Sequence, residues 1–123
     1  MHTKEEVYNI KIAVGQKGNN LFFTPVAGRV IGLLIYHNKG KDFVANAGVK
    51  ADDGTYISKM QHIANYRSRE TCYFNGCKPV DFQTQGKTYT LEITTDEPVA
   101  DKDFVGQLIL IYEDTRFNTC ENA

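Results

Sequence analysis

The chain has 123 residues, a formal net charge of −1 and 41% hydrophobic residues. These values are typical of one globular domain with its own core, and they exclude fibrous and disordered classes. The small net charge gives no reason to expect a specific nucleic-acid partner. No stretch approaches the roughly 18 continuous apolar residues of a membrane span, and the N-terminus shows no signal peptide. We therefore expect a protein kept in the cytoplasm, or carried inside a particle, with its three cysteines reduced.

Short apolar segments separated by turn residues recur along the chain and predict strands. "KTYTLEITT" has the clearest alternation, so Tyr89, Leu91 and Ile93 should be buried while Thr90 and Glu92 face outward. The even spacing favours an all-β fold: an antiparallel β-sandwich, an eight-stranded single jelly roll of two sheets. In chain order the candidates are "VYNIKIAV", "LFFT", "RVIGLLIYHN", "FVANAGVKA", "TYISK", "ETCYF", "KTYTLEITT" and "DFVGQLILIYED".

One segment has helical spacing. The apolar residues of "SKMQHIANYR" predict at most one short helix near residues 57–66. Residues 1–123 are expected to form a single β-sandwich domain, with 1–6 and 115–123 as flexible or interface arms.

The stretch "RETCYFNGCK", residues 69–78, contains two of the three cysteines around an Asn-Gly pair. A two-residue turn at Asn75-Gly76 would place Cys72 and Cys77 diagonally, with Cα atoms about 7 to 8 Å apart. A disulfide usually requires about 4.4 to 6.8 Å. Structural zinc needs four ligands, commonly in two pairs, and the chain has one C-x4-C. The pattern therefore predicts a hairpin whose thiols, like Cys120, are free of disulfide and metal.

No catalytic motif is present. The three histidines are scattered, and neither a nucleophile elbow nor a phosphate-binding loop occurs. "ADDGTY" is read as a hairpin turn rather than a calcium loop. We therefore predict that the protein is not an enzyme and needs no cofactor.

Among the polar segments, "NYRSRE" has the composition that best suits binding of a partner or ligand. Tyr66, Arg67 and Arg69 combine an aromatic ring with guanidinium groups, which suit partner contacts, sugars or phosphates. They are candidate ligand or partner contacts, and a solvated loop with an Arg-Glu pair is the other interpretation.

Two segments do not alternate: "VIGLLIY" (30–36) and "LILIY" (108–112). Strands that are apolar on both faces need cover on both, from a long loop of the same chain or from another subunit. The candidate interface residues are Leu34, Tyr36, Ile109 and Ile111. Gly32 and Gly106 interrupt these strands and predict bulges or close backbone approach.

"GKTYTLEITTDEPV" and "DFVGQLILIYED" resemble the final strands of single jelly-roll virion proteins of phages, of the capsid, penton-type or decoration kind. The resemblance implies a structural subunit of a virus particle that self-associates as a homo-oligomer or shell, with other virion proteins as possible partners. The alternative function is a carbohydrate- or ligand-binding β-sandwich module. It would use Tyr66, Arg67 and Arg69, or the aromatic residues Tyr36, Tyr56 and Tyr73.

Overall fold

The computed structural model describes residues 3–40, 43–67 and 78–113 of the chain. Within them, strands are joined by turns and by one 3-10 helix of four residues. The elements are β1 (Thr3–Ile12), β2 (Gly18–Phe23), β3 (Gly28–His37), β4 (Ala45–Lys50), β5 (Tyr56–His62), the 3-10 helix (Ile63–Tyr66), β6 (Lys78–Thr84), β7 (Tyr89–Thr95) and β8 (Phe104–Glu113).

The strands form two antiparallel four-stranded sheets that pack as a sandwich. The first sheet has the order β1-β8-β3-β6, and the second has the order β2-β7-β4-β5. Most connections therefore cross from one sheet to the other, and only β4 and β5 are consecutive neighbours within a sheet. This is the strand arrangement of a single jelly roll. The predicted all-β, eight-stranded sandwich is confirmed.

Alternation along the strands builds the core between the sheets. Tyr89, Leu91 and Ile93 are at most 3% exposed, as predicted. Thr90 and Glu92 lie on the opposite face of β7, as predicted, but Thr90 is only 7% exposed. It is covered because its cross-strand neighbours are Phe22 on β2 and Lys50 on β4. The largest fully buried side chains include Ile12, Leu33, Ile35, Ile63, Tyr66, Leu91, Ile93, Phe104, Leu108, Leu110 and Tyr112.

The structure defines two boundaries that the predictions left broad. Residues 3–6 belong to β1 and pair with β8, beginning with Thr3 opposite Glu113, so they are not a free arm. Residues 57–62 are strand, and helical structure is confined to Ile63–Tyr66. The expected arm at 115–123 lies outside the described residues.

The sixth strand is Lys78–Thr84, which pairs with β3 at the edge of the first sheet. The sequence pattern missed it and placed a strand at 70–74 instead. That segment, the proposed Asn75-Gly76 turn and all three cysteines lie outside the described residues, so the hairpin and its free thiols stay predictions. Pro79 fits this strand because an edge position tolerates a residue that donates no backbone hydrogen bond.

Both interrupting glycines have a structural reason. Against β8, the register of β3 shifts between Val30 and Gly32, which is a β-bulge with Ile31 as the extra residue. A Cβ at Gly106 would lie 2.9 Å from the ring of Phe104, so this position requires close approach. The bulge and the close approach were both predicted.

Candidate functional site

A second, smaller hydrophobic cluster lies on the outer face of the first sheet, separate from the core. It contains Leu34, Ile109 and Ile111, which are 0%, 8% and 0% exposed, with Ile31 packed against them. Along β8, Leu108 and Leu110 belong to the core between the sheets, so the isoleucines that alternate with them point the other way. Strands β3 and β8 are therefore apolar on both faces, as the sequence predicted.

Exposed apolar side chains extend this cluster across three strands. In register, Val7 on β1 lies opposite Ile109, which lies opposite Leu34 on β3. In the next outward row, Asn9 lies opposite Gln107, which lies opposite Tyr36. We call the set that follows the first outer face. It consists of Leu34, Ile109 and Ile111 with Val7 (50% exposed), Tyr36 (44%) and Val105 (48%).

Most of the predicted interface residues are therefore not exposed for contact with a partner. The chain itself already buries Leu34, Ile109 and Ile111, so these side chains do not offer a free contact surface. Tyr36 is exposed, and an interface role for it stays a prediction. Sequence reasoning missed Val7 and Val105 because only the strand register places them on the same face as the isoleucines.

Of the predicted ligand contacts Tyr66, Arg67 and Arg69, the structure describes the first two. Tyr66 is fully buried, and its hydroxyl lies 2.5 Å from Ser58 Oγ and 3.2 Å from the carbonyl oxygen of Ala47. Burial raises the pKa of this hydroxyl. Tyr66 is a core residue, which corrects the prediction. Arg67 is exposed just after the 3-10 helix, and Arg69 and Tyr73 lie outside the described residues.

A hydrogen-bonded cluster around Glu6, which the sequence did not reveal, joins β1, β8 and the β2–β3 connection. Glu6 Oε1 accepts hydrogen bonds from the hydroxyls of Tyr8 and Tyr112, both at 3.0 Å, and from the backbone N–H of Val26 at 3.1 Å. Burial and the adjacent Glu6 raise the pKa of Tyr8 to about 12. Both phenols stay protonated near neutral pH, so the cluster links β1, β8 and the β2–β3 connection rather than transferring protons.

The outer face of the second sheet carries a different kind of surface. Phe22 is 69% exposed and Tyr56 is 38% exposed, at opposite edges of the sheet. Between them, Lys50 Nζ lies 2.9 Å from Glu92 Oε1, which also accepts a hydrogen bond from the Tyr56 hydroxyl at 3.0 Å. The sequence named Tyr56 but missed Phe22, because nothing in "LFF" tells which of two adjacent phenylalanines points outward.

Residues 3–40, 43–67 and 78–113 contain no group of three or more His, Cys, Asp or Glu side chains arranged to hold a metal ion. Within the same ranges, no helix has the length and apolar character needed to cross a membrane.

No protein-family model matches the sequence, and no curated protein matches it. Among solved structures, the fold is similar to a mitogen derived from Yersinia pseudotuberculosis, with 11% identity, 90% of this chain and 87% of that chain covered, and a TM-score of 0.46. It is also similar to the C-terminal domain of EclA, a sugar-binding protein, with 14% identity, coverage of 86% and 78%, and a TM-score of 0.37. A third similar structure is a capsid chain of Helicobacter pylori bacteriophage KHP30, with 12% identity, coverage of 91% and 94%, and a TM-score of 0.35.

The fold-level resemblance to phage virion proteins is therefore found, beside resemblances to proteins with other roles. At these identities and TM-scores the similarities carry no argument about function, which has to come from the chain's own surfaces.

Proposed function

We propose that this chain is a structural subunit of a virus particle and acts by assembling with copies of itself. The observation that carries the proposal is the exposed part of the first outer face, which borders side chains that the chain itself already buries. A sheet of a two-layer sandwich needs an apolar surface on its inner side only, and here the central strands β8 and β3 are apolar on the outer side as well. The jelly-roll strand order is compatible with this role, although lectins and cupins share it.

The exposed part of the first outer face has the composition of a contact surface. Val7, Tyr36 and Val105 are each about half exposed, and they border side chains that are already buried. Asn9, Lys11 and Gln107 are exposed among them, so polar groups accompany the apolar ones. Exposed apolar patches with a polar surround mark interaction sites, and burying apolar surface contributes about 25 cal/mol per Å².

The occupant proposed for this face is a second copy of the chain. Isologous pairing is the usual contact of soluble homo-oligomers, because one self-complementary patch then serves both partners. A shell would need further contacts of other kinds. The virion is the location that this role implies, with the cytoplasm as the place before assembly.

The test is the mass of the purified protein at tens of micromolar, measured by sedimentation velocity, with negative-stain electron microscopy to detect closed particles. We expect oligomers or particles for the wild type. A Val7→Lys, Val105→Lys double variant should be monomeric while keeping the wild-type circular dichroism spectrum.

Val14→Lys, Val44→Lys is the matched control, since these valines are equally exposed, at 50% and 49%, but lie outside the first outer face. It should assemble like the wild type. A monomeric wild type at these concentrations would overturn the proposal, and so would a control that dissociates to the same extent as the test variant.

A further inference from the structure

Four side chains form a row across the outer face of the second sheet. Phe22 on β2 lies opposite Thr90 on β7, Thr90 lies opposite Lys50 on β4, and Lys50 lies opposite Tyr56 on β5. Neighbouring strands are about 4.7 to 4.9 Å apart, so the two aromatic positions are separated by about 14 Å. The row therefore has an aromatic ring at each end and polar groups between them.

The polar centre of the row is held in place by Glu92. Its carboxylate lies 2.9 Å from Lys50 Nζ and accepts a hydrogen bond from the Tyr56 hydroxyl at 3.0 Å. Hydrogen bonding to Lys50 lowers the pKa of Glu92 and raises the pKa of Lys50, so both groups are charged at neutral pH. The two charges compensate each other, and the centre offers hydrogen-bond donors and acceptors without a net charge.

A groove of about 490 Å³ runs beside this row, lined by Phe22, Lys50, Thr88, Thr90 and the turn at 51–54. This volume lies within the range of about 300 to 1,000 Å³ that is common for small-molecule sites. Phe22 is 69% exposed, so its ring contributes little to the core and instead forms one wall of the groove. An exposed aromatic ring next to hydroxyl and charged groups gives the groove both an apolar surface and directional polar contacts.

We propose that this groove binds a neutral oligosaccharide. The C–H face of one sugar ring would stack on Phe22, and hydroxyl groups of the sugar would exchange hydrogen bonds with Thr88, Thr90 and Lys50, which line the groove. The span from Phe22 to Tyr56 accommodates more than one sugar unit. This site is independent of the first outer face and lies on the opposite side of the sandwich.

The charges of the groove argue against the main alternative ligand classes. Asp52 and Asp53 are exposed in the turn beside Lys50, whose own charge is compensated by Glu92. Lys87 acts on Asp53, so the carboxylates still outnumber the cations here and disfavour phosphate or nucleic acid. A protein partner would be expected to bury a larger apolar centre than the one exposed phenyl ring that lines the groove.

The experiment is a titration of the ¹⁵N-labelled full chain with neutral trisaccharides of gluco, galacto and manno configuration, observed by amide chemical shifts. At least one of these sugars should shift amides of β2, β4 and β7 on this side of the sandwich. Phe22→Ala should weaken its binding at least tenfold, equivalent to about 1.4 kcal/mol.

Tyr36→Ala is the matched control, because Tyr36 is an exposed aromatic residue on the outer face of the other sheet. It should leave sugar affinity unchanged. The proposal would be overturned if none of the sugars binds, if Phe22→Ala binds as tightly as the wild type, or if the shifts map to the first sheet. Shifts in the groove that follow protein concentration rather than sugar would also overturn it, since they would assign the groove to contact between copies.

Discussion

The outer faces of the two sheets differ in chemistry although both sheets have four antiparallel strands and share one core. In the first sheet, the central strands β8 and β3 place Ile109, Ile111 and Leu34 outward. In the second sheet, the outward positions of central strand β7 are Thr90, Glu92 and Thr94. Both inner faces are apolar because they form the shared core, so the two sheets differ in composition mainly on their outer faces.

The difference fits the two proposals, self-association on one side of the sandwich and ligand binding on the other. The first outer face is apolar and suits contact with another protein surface, whereas the second has compensated charges between two aromatic residues and suits a hydroxyl-rich ligand. A particle subunit could use both at once, because neither surface needs residues of the other.

Among the substitutions that test this difference between the outer faces, the largest loss of stability is expected at Leu34. Its side chain is fully buried outside the main core, and Leu34→Ala would leave a cavity in the outer cluster. We expect the free energy of unfolding to fall by about 2 to 5 kcal/mol, the range for a buried leucine. Urea unfolding at one fixed protein concentration measures it, because association would otherwise change the apparent stability.

Thr94→Ala is the corresponding change on the second sheet, at an exposed outward position of β7. It should alter the free energy of unfolding by no more than about 0.5 kcal/mol. If Leu34→Ala changed the free energy of unfolding as little as Thr94→Ala, the outer cluster would not be a packed unit. The two outer faces would then not differ in packing as described.

An intermediate loss of unfolding free energy is expected for a substitution at Gly48, an outward position of β4 opposite Glu92. A Cβ there would lie 2.8 Å from Met60 Sδ, 2.9 Å from the Met60 backbone nitrogen and 3.0 Å from the Ser58 carbonyl oxygen. Because two of these atoms belong to the backbone of β5, Gly48→Ala should force the strands to shift. We expect a loss of about 1 to 3 kcal/mol in unfolding free energy.

Gly40→Ala controls for the general effect of replacing glycine, because a Cβ at Gly40 would meet nothing within 4 Å. It should be close to neutral in the same urea titration. A Gly48→Ala variant as stable as Gly40→Ala would mean that β4 and β5 can separate at this position without loss of stability.

Much of the fold could be predicted from local patterns. The period of two in "KTYTLEITT" identified the buried face of β7, and the non-alternating segments identified the two strands with apolar outer faces. Strand β6 could not be found in this way. Pro79 and Asp81 are poor strand formers, and Val80 and Phe82 alone provide too short an alternation.

The candidate sites depend on long-range register, which the sequence pattern does not contain. Phe22 and Tyr56 are 34 positions apart and are aligned only because β7 and β4 lie between their strands. Tyr66 failed as a ligand contact for a similar reason. Its neighbours Arg67 and Arg69 suggested a polar loop, but the 3-10 helix directs the tyrosine ring into the core.

The smallest expected effect is on the stability of the fold in acid, through Glu92 on the outer face of the second sheet. Hydrogen bonding to Lys50 holds the pKa of Glu92 below its ordinary value of 4.5. A carboxylate with a lowered pKa in the folded state stabilises the fold above its unfolded pKa, and this contribution is lost as the pH falls through the folded value. Glu92→Gln should therefore make the unfolding free energy less dependent on pH below 4.5.

Asp81 on the first sheet provides the comparison, since its carboxylate binds Arg29 at 2.9 and 3.0 Å and its pKa is also lowered. The Asp81 side chain is 65% exposed and the Glu92 side chain is 18% exposed, so solvent screens the Asp81 pair more strongly. In urea titrations from neutral to acidic pH, Asp81→Asn should flatten the pH dependence less than Glu92→Gln. The reverse order would mean that burial does not determine how much these two ion pairs contribute to stability. The inference that Glu92 orders the polar centre on the outer face of the second sheet would then be contradicted.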